Sequence, residues 1–216
     1  MPLDFQNLGR MPFAEALAYQ KELRRRRQAG EIGDTVLFTE HPRVITRGRR
    51  PADEDFRVAP AELLERGFSI EDAGRGGKLT YHGPGQLVAY FIVSLRERRL
   101  GIPDFVRRIE AAVVETLVQF GVRAQGDPEF PGVWVEGRKI ASIGLAVDRG
   151  VSMNGIALNV APDLDDFEVI IPCGIPDCRM TSLSRETGRS YSIPEVRARL
   201  QVCLERAFDS KAGKLG

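Results

Sequence analysis

Residues 133–160, VWVEGRKIASIGLAVDRGVSMNGIALNV, decide the fold class. Three runs rich in Val, Ile and small residues (133–135, 140–147 and 151–160) are separated by the pairs Glu136-Gly137 and Arg149-Gly150. An X-Gly pair between two strand-like runs predicts a tight turn, so the stretch predicts a series of antiparallel hairpins. Upstream, 87–94 is almost wholly apolar, as expected of a strand covered on both faces.

Helices are expected on either side of this β-rich centre. The clearest covers 103–120, where Phe105, Ile109, Ala112, Val113, Leu117 and Phe120 recur at helical spacing and Gly121 stops the run. Residues 194–208 repeat the pattern with Val196, Leu200, Cys203 and Leu204 on one face. Residues 12–30 and 60–67 each open on a proline and close on a glycine; in the first, Phe13, Ala14, Leu17 and Ala18 are assigned to the inner face. Short strands are expected at 35–39, 44–46 and 68–71, a glycine-rich loop over 74–86, and mostly loop over 163–186. Strands and helices mix irregularly without a linker or repeat. The expectation is therefore one α+β domain over 1–216 with a mixed, largely antiparallel sheet.

With 31 Lys and Arg against 30 Asp and Glu, the net charge of +1 gives no global case for binding nucleic acid or a membrane. Two local basic runs, Arg24 to Arg27 and Arg47, Arg49 and Arg50, read either as solvated faces or as docking patches for an acidic partner. Three cysteines are too few for a disulfide framework, and 1–30 carries no signal-peptide pattern, so a reducing cytoplasm is expected. The two histidines, His41 and His82, have no nearby second ligand, and a structural zinc site needs four ligands in close pairs; no metal or cofactor is expected.

Three stretches could carry chemistry. Cys173 lies between Pro172 and Gly174, on irregular backbone that could present a thiol to substrate; the plainer reading is a small buried hydrophobe. Lys139 stands at the start of a small-residue strand, either as a solvent-facing strand end or as a cation aimed into a cavity. A cysteine with an ordinary pKa near 8.5 is only a few per cent thiolate at neutral pH, and an ammonium within about 4–6 Å would raise that fraction tenfold or more. The third stretch, RGGKLTYHGPGQ from Arg75 to Gln86, allows close backbone approach to a ligand but has neither P-loop nor dinucleotide spacing.

Taken in order, Arg75-Gly76-Gly77-Lys78-Leu79-Thr80-Tyr81-His82-Gly83-Pro84-Gly85-Gln86, Gly137-Arg138-Lys139-Ile140-Ala141-Ser142-Ile143-Gly144 and Pro172-Cys173-Gly174-Ile175 resemble the lipoyl(octanoyl) transferase family. Glu40-His41-Pro42, Gly155-Ile156-Ala157-Leu158-Asn159-Val160 and Thr181-Ser182-Leu183 look like further blocks of it, so the resemblance spans roughly 10–210. It implies the fold of lipoate and biotin protein ligases, with a smaller second sheet beside the main one. It implies that Cys173 is an acyl-thioester nucleophile and that Lys139 activates it. It implies an acyl pocket lined by Arg75, Gly76, Gly77, Lys78, Leu79, Thr80, Tyr81, His82, Ser142, Ile143, Gly144, Gly155, Ile156 and Ala157. The implied donor is octanoyl-acyl carrier protein, and the implied acceptors are lipoyl domains and the glycine cleavage H protein. No cofactor is implied, and a monomer is expected. An ATP-dependent lipoate or biotin protein ligase on the same fold is the alternative, followed by a cysteine hydrolase and a carrier-binding module without activity. Two positions depart from the family pattern: Asn154 stands where a histidine is usual, and Arg47 where an apolar residue is common.

Overall fold

The computed structural model describes residues 2–50, 53–175 and 178–209, with the side chain of Cys173 outside the described atoms. In chain order the elements are β1 (Asp4–Arg10), α1 (Phe13–Gln28), β2 (Thr35–Glu40), β3 (Val44–Arg47), α2 (Pro60–Glu65), β4 (Ser69–Asp72), β5 (Leu79–His82) and β6 (Gln86–Ile92). There follow α3 (Leu95–Arg98), α4 (Ile102–Val118), β7 (Gln125–Gly126), β8 (Gly132–Val135), β9 (Arg138–Asp148), β10 (Val151–Asn159), β11 (Arg179–Met180), α5 (Leu183–Thr187) and α6 (Ile193–Phe208).

The large sheet runs β1-β2-β6-β10-β9-β8-β7, and β11 pairs with β9; β4-β3-β5 form a separate small sheet. The expected hairpins β8-β9-β10 are antiparallel. Their turns place Glu136, Gly137, Arg149 and Gly150 all at positive φ, the twist that suits a two-residue hairpin loop. β6 explains its own composition. Leu87, Ala89 and Phe91 face one core with α4 and α6, while Val88, Tyr90 and Ile92 face another with α1. Every residue of β6 is buried, so alternation of polarity has no place there. A third core lies under the small sheet and joins Ile45, Leu79 and Tyr81 to Leu63, Phe68 and Phe167.

Three expectations are corrected. Residues 79–82 are a strand within the stretch expected to be loop, because Leu79 and Tyr81 turn into the third core and β5 pairs with β3. Residues 4–10, for which no element was expected, add a parallel strand beside β2. In α1, Ala14 and Ala18 are exposed; the inner face is Phe13, Ala16, Leu17, Gln20, Leu23 and Arg27.

Arg27 ends the reading of its basic run as one continuous patch. It is 4% exposed and donates to Asp34 at 2.9 Å and to Glu97 at 2.7 and 2.9 Å. Asp34, itself 1% exposed, also accepts from the Ser94 amide at 2.8 Å and from Arg98 at 2.6 Å. A buried carboxylate shared by two guanidiniums and an amide joins α1, the start of β2 and α3. Removing Asp34 leaves Arg27 with Glu97 as its carboxylate partner and takes from the buried Arg98 side chain the carboxylate it donates to. Asp34→Ala is expected to cost about 3–5 kcal/mol of unfolding free energy, read by urea denaturation.

Candidate active site

β5 positions the first wall of the site. Side chains alternate along a strand, so Leu79 and Tyr81 enter the third core while Thr80 and His82 face a narrow cavity. β9 contributes Ser142, Ile143 and Gly144 to that cavity, β10 contributes Asn154, Gly155, Ile156 and Ala157, and β6 contributes Val88 and Tyr90. Phe13 closes it from α1, and Arg75 from the loop before β5.

Nine of the fourteen expected pocket residues therefore meet at one cavity: Arg75, Thr80, His82, Ser142, Ile143, Gly144, Gly155, Ile156 and Ala157. Gly76, Gly77, Lys78, Leu79 and Tyr81 do not line it. The Gly76 amide donates to the Leu145 carbonyl at 3.0 Å, Gly77 turns at positive φ, and Lys78 pairs with Asp55 at 2.9 Å. Phe13, Val88, Tyr90 and Asn154 line the cavity without having been expected there. Phe13, Val88 and Tyr90 sit in apolar stripes that read simply as core.

Glycines thin the walls where the chain must come close. A Cβ on Gly155 would collide with the Ala89 carbonyl, and one on Gly144 would lie 2.7 Å from Arg75 Cδ. The histidines are buried and neutral. His41 Nδ1 lies 2.6 Å from the Met11 carbonyl, which can only accept, so Nδ1 donates and Nε2 accepts from the Tyr90 hydroxyl at 2.6 Å. Burial pushes the His41 pKa down and the Tyr90 pKa up, favouring the neutral form of each. His82 lies 3.2 Å from Gln86 Oε1, and burial, helped by His41 and Arg75, pushes its pKa down to about 3. Asn154, at φ 63°, accepts no titratable role; its amide donates to Gln20 Oε1 at 2.9 Å.

The Cys173 turn packs against β5. Pro172–Gly174 form a single 3₁₀ turn, and a Cβ on Gly174 would collide with the Lys78 side chain, two residues before Thr80. The turn is anchored where the Ile171 amide donates to the Asp55 carbonyl at 2.7 Å. The chain then returns as β11, whose Arg179 and Met180 pair in parallel with Arg138 and Lys139. The segment that follows the Cys173 turn is thus tied to the first two residues of β9. Lys139 is 1% exposed, with its ammonium 4.9 Å from the centre of the Trp134 ring. The thiol of Cys173 lies outside the described atoms, as does the course of residues 176–177. Cys178 lies beside Met180 at 3.8 Å, and Cys203 is buried in the α6 core. Arg47 pairs with Asp72 across β3 and β4 at 3.4 Å.

Residues 12–205 match the lipoyl protein ligase A/B catalytic domain. An octanoyltransferase of Alkaliphilus metalliredigens is 44% identical over 189 residues, covering 87% of either chain. One from Chloroflexus aggregans is 41% identical over 210 residues, covering 96% of this chain and 95% of its own. The chain belongs to the octanoyltransferase family. Its fold is shared more widely. A lipoate-protein ligase A bound with ATP superposes with a TM-score of 0.81 at 22% identity, covering 96% of this octanoyltransferase-family chain and 85% of its own. A biotin protein ligase from Aquifex aeolicus, in complex with biotin and ATP, superposes at 0.57 with 17% identity, over 99% of this chain and 72% of its own. At these identities the ligases speak for the fold alone, and the relatives that match in sequence are named transferases.

The depressed His82 pKa has a stability consequence. In the unfolded chain the imidazole takes up a proton near pH 6.5, whereas in the fold it does so only near pH 3. Between these values the unfolded state binds more protons, so stability falls as pH falls through 6.5. At pH 5 the cost is about 2 kcal/mol relative to neutral pH. His82→Gln is expected to lose less stability than wild type between pH 7.5 and pH 5, measured by denaturant unfolding at both.

Proposed function

We propose that this chain moves an octanoyl group from the phosphopantetheine thiol of octanoyl-acyl carrier protein to a lysine of a lipoyl domain or of the glycine cleavage H protein, through a thioester on Cys173. One observation carries the reading. The turn bearing Cys173 abuts the strand whose Thr80 and His82 line the cavity, and β11, at residues 179–180, pairs with the start of β9, which carries buried Lys139. This supports a nucleophile and a cation carried beside two of the strands, β5 and β9, that wall a cavity with largely apolar lining.

The steps balance without an energy source. The Cys173 thiolate attacks the donor's thioester carbonyl, and the tetrahedral intermediate expels the phosphopantetheine thiolate, which takes its proton from the Lys139 ammonium and leaves Lys139 neutral for the second step. The acceptor lysine, as free amine, attacks the acyl-enzyme; the C–N bond forms, the C–S bond breaks, and Cys173 is restored. The amine's surplus proton leaves through Lys139, which also takes the proton from the thiol in the first step. One thioester replaces another before a downhill amide formation, so no adenylation is needed. Arg75, Thr80, Ser142 and the Gly144 and Gly155 walls would shape the acyl pocket. Each buried methylene is worth about 0.8 kcal/mol, so a hexanoyl donor is expected to bind roughly tenfold more weakly. A free thiol nucleophile suits a reducing cytoplasm, and the whole of 1–216 acts as one catalytic unit. Among the described residues no helix is long and apolar enough to cross a membrane.

For an acidic carrier protein, the exposed pair Arg49 and Arg50 is the better docking site. Their amides are fixed on the Arg75 and Gly77 carbonyls at 2.8 and 3.2 Å, next to the pocket loop. The other run is committed elsewhere: Arg27 is buried, and Arg25 and Arg26 pair with Glu22 and Glu31. Reversing Arg49 and Arg50 to Glu is expected to slow transfer from the carrier protein at least tenfold while sparing transfer from a small octanoyl thioester. Equal effects on both donors would contradict the docking role.

The overall reaction is tested by following octanoyl transfer to a purified lipoyl domain without ATP. Wild type is expected to complete the transfer, Cys173→Ala to lose it, and Lys139→Ala to retain a slow residue. A requirement for ATP would overturn the transferase reading in favour of a ligase.

A further inference from the structure

Glu110 stands outside every role described so far. It lies on α4 between Ile109 and Ala111, on a stripe of the helix that turns toward the sheet, and is 7% exposed. One carboxylate oxygen accepts the Gly132 amide at 2.9 Å, and the other faces Gly126, where a Cβ would stand 3.0 Å away. Gly132 is the residue against which Lys139 rests. A Cβ there would lie 2.5 Å from Lys139 Cε and 3.3 Å from its Nζ, and Gly132 adopts φ 144°. A carboxylate is thus bonded to the backbone that walls the side chain of the proposed catalytic lysine. Burying a carboxylate is costly, and one amide bond does not by itself account for an acidic side chain here; a buried cation nearby does.

We infer that Glu110 is a positioning residue for the acyl transfer, holding Gly132 against Lys139 and stabilising the lysine as an ammonium beside the Cys173 turn. The inference rests on the function proposed above. The Glu110 carboxyl is pushed above its ordinary value, chiefly by burial and also by Asp127, and the Gly132 amide, Lys139 and Arg107 offset only part of that rise. In the alkaline range the carboxyl is ionised, so its charge acts there on the lysine. In the transfer, the Lys139 ammonium forms when the thiol loses its proton; a fixed negative charge behind it favours that ion pair and keeps it to higher pH.

The test separates the hydrogen bond from the charge. Glu110→Gln can still accept from Gly132 but is neutral; Glu110→Ala does neither. Single-turnover acylation by octanoyl-acyl carrier protein is followed by mass spectrometry from pH 6 to pH 10, with thermal melting as a folding control. The alkaline limb of the Glu110→Gln profile is expected to move to lower pH by about one unit, with its melting temperature near wild type. Glu110→Ala is expected to show the same shift together with a uniformly lower rate. In a Lys139→Ala background Glu110→Gln is expected to change nothing further. An unshifted Glu110→Gln profile, or a shift that persists without Lys139, would overturn the inference. Failure of wild type to acylate at all would instead remove the function on which it rests.

Discussion

The site depends on the buried guanidinium of Arg75. At 7% exposure it has left water almost completely, and it recovers the loss by donating to the Thr46 carbonyl and hydroxyl at 2.8 Å each, the Lys78 carbonyl at 2.9 Å and the Gly76 carbonyl at 3.0 Å. These bonds fold the loop before β5 onto β3. The arginine stem meanwhile lies against Gly144 of the large sheet, and the Gly76 amide bonds to Leu145. One side chain therefore couples the small sheet to the large one across the cavity. A planar fork with several donors is needed for that; a lysine would satisfy one or two acceptors and leave the rest buried and unpaired. Burial, His41 and the arginine's charge together hold His82 neutral.

The central strands were legible because their burial leaves a direct mark on composition. β6 is apolar at both phases since it faces two cores, and the hairpin turns announce themselves through Gly137 and Gly150. α4 and α6 were legible for the same reason, each having one apolar stripe against the sheet. β1 left no such mark. Its residues are exposed or half-buried, and an edge strand paired on one side needs few apolar side chains. β5 was masked by glycines on both sides, although Leu79 and Tyr81 alternate with Thr80 and His82 as a strand should. The inner face of α1 was misread at Ala14 and Ala18 because the face is completed by Gln20 and Arg27, whose burial is secured by partners distant in sequence.

For the site, the motif containing Arg75, Thr80 and His82 and those containing Lys139 and Cys173 were visible as a resemblance, and spacing alone left each with a plainer structural reading. What spacing could not supply was the juxtaposition. The chain beyond Cys173 reaches the start of β9 through β11, a two-residue bridge with no compositional signal. Glu110 belongs to none of the motifs. The available signal was its position: an acidic residue next to Ile109 and one turn from Val113 lies on the buried side, where an unpaired carboxylate is not tolerated. Phe13 and Tyr90 were hidden for the opposite reason, since an aromatic in an apolar stripe is core far more often than cavity wall.

The central claim is covalent: the acyl group rests on Cys173 between donor and acceptor. The most direct measurement is intact-protein mass spectrometry of wild type and Cys173→Ala after incubation with octanoyl-acyl carrier protein and no acceptor. The account predicts a single octanoyl adduct on wild type that hydroxylamine removes and that Cys173→Ala never acquires. No adduct on wild type, or an equal adduct on Cys173→Ala, would contradict it.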